Sequence, residues 1–261
     1  MQRITFWHGF ILIFLFLIVN TSNANEIKTI PPLDIILEKA HAYSVGKNNS
    51  IHKIEYLIKK HYYQIQYQEQ KLEILKEVKD HFEKSISKAE EKYEEGEEDI
   101  SQTDITKLKL GLAGTLNDVY GVETGLKISR ISLSDILNNE YPINAELLKP
   151  NISPLKFKYV DYAEWILNNK VVSDEKKKNS FLHKAFLKVN EAKKKMQLAH
   201  KNRKMTRALL VSEVANYDFG IGNPADLFQA LIIYTRVLTG YYESIYKFNL
   251  SIAELDRDKN L

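Results

Sequence analysis

The sequence contains no cysteine, which excludes disulfides, thiolate metal sites and the lipid-anchoring cysteine of a lipoprotein. Glycine and proline are scarce, with 10 and 6 residues among 261, and sheet folds usually need more turn residues than this. Charge of one sign is also not in excess, because 37 Lys and Arg face 34 Asp and Glu and leave a net charge of +3. No global field therefore attracts the chain to nucleic acid, and we expect no nucleic-acid partner.

Motifs for metal binding, nucleotide binding and catalysis are missing as well. None of the seven histidines lies three or four residues from another, so no helix face offers a histidine pair to a metal. Gly220-Ile221-Gly222 lacks the third glycine of a dinucleotide-binding fingerprint and follows a helical pattern, so we interpret it as a helix stop. We predict no metal, no cofactor and no enzymatic activity.

The sequence is rich in Lys, Glu, Leu, Ile and Ala, the composition of long helices. Apolar residues recur in alternating steps of three and four over residues 51–93 and again over 105–136. This spacing is a heptad seam and predicts two long helices that fold back on each other. Three polar residues interrupt the first seam, namely His61, Gln68 and Lys79.

A connector separates this hairpin from a second one. Residues 141–179 contain three of the prolines and hold no clear period, apart from a short helical pattern at 162–166. Helical spacing returns over residues 180–217 and 226–256, with a turn between them. We predict an all-α fold of two repeated, antiparallel helical hairpins of the coiled-coil or α-barrel type, at 25–140 and 180–261.

The two hairpins resemble copies of each other. Their returning helices align at one constant offset, and the turns before them align when the first turn is two residues longer. The equivalent turn residues are Asp104 and Asp226, Tyr93 and Tyr217, and Gly96 and Gly220. Heptad registration alone aligns any two amphipathic helices, so the case for a duplication depends on the turns. We expect Thr103 or Asp104 to cap the first returning helix and Asp226 to cap the second.

Residues 1–24 have the pattern of a secretory signal peptide. Arg3 precedes an apolar run at 10–19, and Ser22 and Ala24 are small residues at the spacing that signal peptidase requires. We predict cleavage after Ala24 and export of the mature chain. The alternative is an uncleaved anchor, although the run is short for a span of about 20 residues.

Residues 217–230, with the sequence YDFGIGNPADLFQA, resemble the final tip turn of TolC-like outer-membrane efflux ducts. Residues 93–104 resemble the corresponding tip of the first repeat, with a two-residue insertion. The likeness continues along the last helix at Tyr242, Ile245, Tyr246, Asn249, Ala253 and Leu255. We refer to residues 93–104 as tip 1 and to residues 217–226 as tip 2.

In that family three subunits form a barrel of long helices, and their tips dock onto a periplasmic adaptor that belongs to an inner-membrane pump. The resemblance implies a homotrimer, an adaptor and a pump as partners, and a location in the periplasm or outer membrane of a Gram-negative bacterium. Family members also build a membrane barrel from strands of about 9–11 alternating residues. The sequence before Ile51 and the connector show no such strands, so we expect a short member that lacks most of this barrel.

The tips are therefore the candidate partner-binding sites. Their residues are Tyr93, Gly96 and Asp104 in tip 1 and Tyr217, Phe219, Gly220, Ile221, Gly222 and Asp226 in tip 2. Simple chain reversal is the alternative role of both turns. For the whole protein, the resemblance implies a duct component of an efflux or type I secretion system. The alternative is an exported coiled-coil protein that scaffolds the envelope without transporting anything.

Overall fold

The structure is a computed structural model that describes residues 29–44, 51–96, 100–171 and 176–260. The predicted signal peptide lies outside these ranges. Within them the chain forms six helices: α1 (Leu33–Ser44), α2 (Ile51–Glu94), α3 (Gln102–Ile136), α4 (Tyr162–Asn168), α5 (Lys176–Asp218) and α6 (Pro224–Asn260). The only β-type pairing in the described ranges is a single parallel bridge between Ile30 and Leu147. The all-α prediction is confirmed.

The long helices form the two antiparallel hairpins that the heptad seams predict, α2 with α3 and α5 with α6. Helix α2 runs without a break for 44 residues. Its predicted seam supplies a row of buried side chains: Ile58, Ile65, Leu75, Phe82, Ile86 and Ala89. None of the described helices has the combination of length and apolar character that is needed to cross a membrane.

The four long helices lie side by side in the order α3, α2, α6, α5. Helix α2 packs against both α3 and α6, and α6 packs against both α2 and α5, with a smaller contact between α3 and α6. At that smaller contact, a Cβ on Gly111 of α3 would lie 2.7 Å from the ring of Phe82 and 2.9 Å from the ring of Phe228. Because Gly111 has no side chain, the three helices can approach one another closely at this point.

Aromatic residues dominate the seam between α2 and α6. The rings of Tyr67 and Tyr246 stack with their centroids 5.7 Å apart, and the Tyr234 hydroxyl donates to the Glu77 carboxylate at 2.8 Å. Burial raises the pKa of Tyr67 and of Tyr246 to about 12. Each ring thus combines a large apolar area with one polar atom, as is usual for tyrosine in a core or an interface.

One polar interruption of the α2 seam is a buried contact with α3. The Oε1 atom of Gln68 accepts a hydrogen bond from the Ser129 hydroxyl at 3.1 Å. Next to it, Arg130 donates to Glu69 at 2.9 Å. Burial raises the pKa of Glu69, and the bond from Arg130 opposes this shift. Because these polar groups must meet their partners inside the seam, they set the register of α2 against α3.

Helix α1 has no counterpart in the sequence-based predictions. It packs against α2, and the Nζ atom of Lys39 donates to Glu140 at 2.7 Å just beyond the end of α3. The segment before it is joined to the connector by two backbone hydrogen bonds, from Ile30 to the carbonyl of Glu146 and from Leu148 to the carbonyl of Ile30. The beginning of the described chain and the connector therefore form one unit beside α2.

The connector crosses the helices from α2 towards α5. On α2, the side-chain amide of Gln66 donates to the carbonyls of Lys149 at 2.7 Å and Asn151 at 3.3 Å. On α5, the Nζ atom of Lys193 donates to the carbonyl of Phe157 at 2.6 Å. Side chains of the helices thus satisfy connector backbone groups that have no partner in a helix or sheet.

Between these two points the connector is held by Asn249 of α6, which is completely buried. Its Nδ2 atom donates to the carbonyl of Ser153 at 2.8 Å, and its Oδ1 atom accepts from the backbone N–H of Leu155 at 2.9 Å. The amide therefore pairs with a donor and an acceptor of one extended segment, as a neighbouring strand would.

We predict that Asn249→Ala lowers the free energy of unfolding by about 1–3 kcal/mol, because it leaves the buried backbone groups of Ser153 and Leu155 without partners. Urea denaturation followed by circular dichroism measures the change. Asn117→Ala removes the same amide from an exposed position on α3 and is expected to change stability by less than about 0.5 kcal/mol. Equal losses in the two variants would contradict the role given to Asn249.

Candidate docking site at the hairpin tips

Both tips lie at the same end of the helical layer. The Nζ atom of Lys88, near the end of α2, donates to the carbonyls of Tyr217 at 3.0 Å and Asp218 at 2.7 Å. Lys88 therefore satisfies two of the free carbonyls that end α5, and it joins the first hairpin to the second. A groove of about 430 Å³ lies between the tips, with Lys92 and Ile100 on one side and residues of tip 2 on the other.

The two turns share one backbone geometry at their first step. In tip 1 the N–H of Gly96 donates to the carbonyl of Tyr93 at 3.2 Å, and in tip 2 the N–H of Gly220 donates to the carbonyl of Tyr217 at 3.2 Å. Both glycines have a positive φ, 82° for Gly96 and 76° for Gly220, which side chains other than glycine rarely adopt. This agreement supports the equivalence of the turns that the sequence alignment predicts.

Gly222 is required for a different reason. Its backbone is not in the left-handed region, unlike that of Gly96 and Gly220. A Cβ at Gly222 would instead lie 2.9 Å from the backbone nitrogen of Tyr217 and 2.9 Å from the Cβ of Asn216. The turn folds back so closely on the end of α5 that only glycine fits.

The helix caps differ from those expected. Helix α3 is capped by Ser101, whose hydroxyl accepts from the N–H of Asp104 at 3.2 Å, while the Asp104 carboxylate accepts from the N–H of Ser101 at 3.3 Å. Thr103 and Asp104 are thus wrong as caps. Asp104 is the second partner in a reciprocal capping box. The hydrogen bond from the Ser101 hydroxyl, supported by Lys107, lowers the pKa of Asp104.

The same arrangement opens α6. The side-chain oxygen of Asn223 accepts from the N–H of Asp226 at 2.8 Å, and the Asp226 carboxylate accepts from the side-chain amide of Asn223 at 2.7 Å. Asn223 is therefore the cap, and the prediction that Asp226 caps this helix is wrong. Sequence reasoning missed Ser101 and Asn223, although a small polar residue three positions before an acidic one is the sequence sign of such a box.

The nine candidate residues divide into exposed and structural positions. Phe219 and Ile221 are 82% and 79% exposed, and Tyr93 is 46% exposed. Tyr217 is buried, and its hydroxyl donates to the carbonyl of Ser85 at 3.1 Å. The glycines and the two aspartates shape the turns. The exposed surface of tip 2 thus contains two large apolar side chains beside the carboxylate of Asp218.

Across the described ranges, no group of three or more His, Asp or Glu side chains is arranged to hold a metal ion. The tip groove is lined by charges of both signs, from Lys92, Glu213 and Asp226.

Neither a family model nor a curated protein matches the sequence. Among solved structures, the chain is similar to the outer-membrane channel OprN, with a TM-score of 0.63 and 10% sequence identity. The match covers 85% of this chain and 68% of that one. At this identity the likeness shows the fold alone. The fold resembles the helical part of a TolC-like channel, as the sequence resemblance implied.

We predict that Ser101→Ala and Asn223→Ala each lower the free energy of unfolding by about 1 kcal/mol, because each removes the acceptor for a free N–H group at a helix start. Thr103→Ala serves as the control for Ser101→Ala, since Thr103 is the second residue of the same helix and does not cap it. Chemical denaturation of the three variants gives the comparison. If Thr103→Ala costs as much as Ser101→Ala, the cap has been assigned to the wrong residue.

Proposed function

We propose that this chain is a duct component of an efflux or type I secretion system, a transport component and not an enzyme. In this proposal it is exported to the periplasm or outer membrane of a Gram-negative bacterium, and its tips dock onto a periplasmic adaptor that serves an inner-membrane pump. The observation that carries the proposal is a layer of four long helices with both hairpin tips at one end, in a fold similar to that of an outer-membrane channel.

The tips support docking because they expose side chains that chain reversal does not need. A turn requires Gly220 and Gly222 for its backbone and Asn223 for its cap. Phe219 and Ile221 point into solvent, and their exposure costs free energy unless a partner covers them. Simple reversal would be served as well by polar residues at both positions.

The outer helices of the layer support assembly. Helices α3 and α5 are the outer pair, and both carry exposed apolar side chains. These are Leu110, Tyr120 and Ile128 on α3 and Leu187, Leu198 and Met205 on α5. Gly114 and Gly121 of α3 have open space where a Cβ would stand, so a neighbouring helix can approach closely there. We propose that α3 of one subunit packs against α5 of the next, closing a homotrimeric ring.

We predict that the double variant Phe219→Asp/Ile221→Asp folds normally and loses most of its association with the envelope adaptor, because charge replaces the apolar surface of tip 2. The measurement is cross-linking and co-purification from cells, with circular dichroism as the test of folding. The matched control is Val160→Asp/Leu167→Asp, which changes connector residues of similar exposure, 77% and 78%. If the tip variant co-purifies as well as the control does, the tips are turns only.

We also predict that Leu110→Asp/Ile128→Asp shifts the protein from trimer to monomer, because unpaired carboxylates would be buried where α3 meets its neighbour. Analytical ultracentrifugation of the mature chain in mild detergent measures the shift. Ile143→Asp, at an exposed apolar site in the connector, is expected to leave the trimer intact. A wild-type chain that stays monomeric at all concentrations would contradict the duct proposal and favour an exported scaffold.

A further inference from the structure

Helix α5 has a large excess of positive charge. It contains twelve Lys and Arg against three Asp and Glu. The chain as a whole has a net charge of only +3, so this charge is concentrated on one outer helix. Two grooves open between α5 and α6, and they differ in whether their cations have anionic partners.

In the first groove, four of the six charged side chains form ion pairs. Lys195 lies 2.6 Å from Glu191 along α5, and Lys247 lies 2.6 Å from Glu243 along α6. All four side chains line the groove. We call it the paired groove. Lys195 and Lys247 already have anionic partners one helical turn away, and the third cation, Lys188, shares the groove with the carboxylate of Glu254. The charges of this groove therefore balance, and it attracts another anion only weakly.

The second groove lies further along α5, closer to the tips, and has a volume of about 490 Å³. The cations that line it are unpaired within the described part of the chain. We call it the cationic groove. Its charged residues are Arg203, Lys204 and Arg207 of α5, and its apolar residues are Val211 of α5 and Leu238 and Tyr242 of α6. None of the three cations forms an ion pair with any residue that the structure describes.

Arg203 contacts an aromatic ring, and Arg207 acts electrostatically on a tyrosine hydroxyl. The guanidinium of Arg203 lies over the ring of Tyr241, 4.7 Å from its centroid, a cation–π contact that leaves its N–H groups free for an acceptor. Arg207 lies close enough to Tyr234 to act on its hydroxyl electrostatically. The carboxylate bound to that hydroxyl is Glu77, which is already engaged at 2.8 Å.

We propose that the cationic groove binds an amphiphilic organic anion. A sulfonate, carboxylate or phosphate group would accept hydrogen bonds from Arg203, Lys204 and Arg207, and the planar guanidinium group suits such oxyanions because it can donate two parallel hydrogen bonds to them. The apolar body of the ligand would lie against Leu238, Val211 and the Tyr242 ring. Convergent charges beside an apolar floor are the usual composition of a small-molecule site. The proposal concerns the single chain and stands independently of the duct function.

The test is a calorimetric titration of the mature chain with 1-naphthalenesulfonate at fixed ionic strength. We expect the sulfonate to bind to the unchanged chain. For Arg203→Gln/Arg207→Gln we expect a Kd at least about tenfold higher, because the bidentate donors are lost. Neutral 1-naphthalenemethanol should bind about tenfold more weakly than the sulfonate to the unchanged chain. Lys204→Gln alone, at an exposed position, gives a second variant with little risk to folding.

The paired groove supplies the matched control. Lys188→Gln/Lys195→Gln removes the same charge from the same helix and is expected to change the Kd by less than about twofold. If both double variants bind the sulfonate equally more weakly, binding depends on the overall positive charge of α5 and the proposed site is wrong. A sulfonate that does not bind, or that binds no better than the alcohol, overturns it as well. A third result would also overturn the site: Arg203→Gln/Arg207→Gln sediments differently from the unchanged chain but binds the sulfonate equally well. The cations would then serve an interface between copies of the chain.

Discussion

Helices α2 and α6 each have to pack on two sides, and this requirement organises the rest of the layer. A helix in an isolated hairpin buries one apolar stripe, whereas α2 and α6 also bury the faces that join the two hairpins. Tyrosine serves this second face because its ring fills the gap between helices and its hydroxyl reaches a carboxylate, as Tyr234 reaches Glu77. Without the α2–α6 seam the chain would be two separate hairpins, and the tips would have no fixed relation to each other.

The path of the connector is a consequence of that seam. Once α2 and α6 lie together, the chain must pass from the end of α3 on one edge to the start of α5 on the other, across both inner helices. An irregular segment on such a surface needs partners for its backbone. Gln66 and Asn249 supply them from the helices themselves, so a segment with no regular structure of its own still has a defined position.

The heptad pattern predicted the long helices well because it reports directly which positions are apolar. It could not predict the order of the helices, since an apolar stripe does not name its partner. It also treated Gln68 as an interruption, because the burial of a polar side chain depends on a partner that is distant in sequence, here Ser129. At the tips, several small polar residues lie close together before each returning helix. Which of them is the cap depends on the path of the turn. The predicted caps therefore lie two or three residues after the observed ones.

The two turns have different surfaces although their backbones agree at the glycine step. Tyr217 is buried because α5 meets the end of α2 at tip 2, where the tyrosine hydroxyl finds the carbonyl of Ser85. Among the described residues, none forms a hydrogen bond with the Tyr93 hydroxyl, and this side chain is half exposed. Tip 1 therefore offers a tyrosine beside acidic residues of α2, and tip 2 offers Phe219 and Ile221. In the proposed ring these two surfaces alternate. A partner bound to all of the tips would have to meet two kinds of contact in each subunit, so two similar hairpins need not carry two similar binding sites.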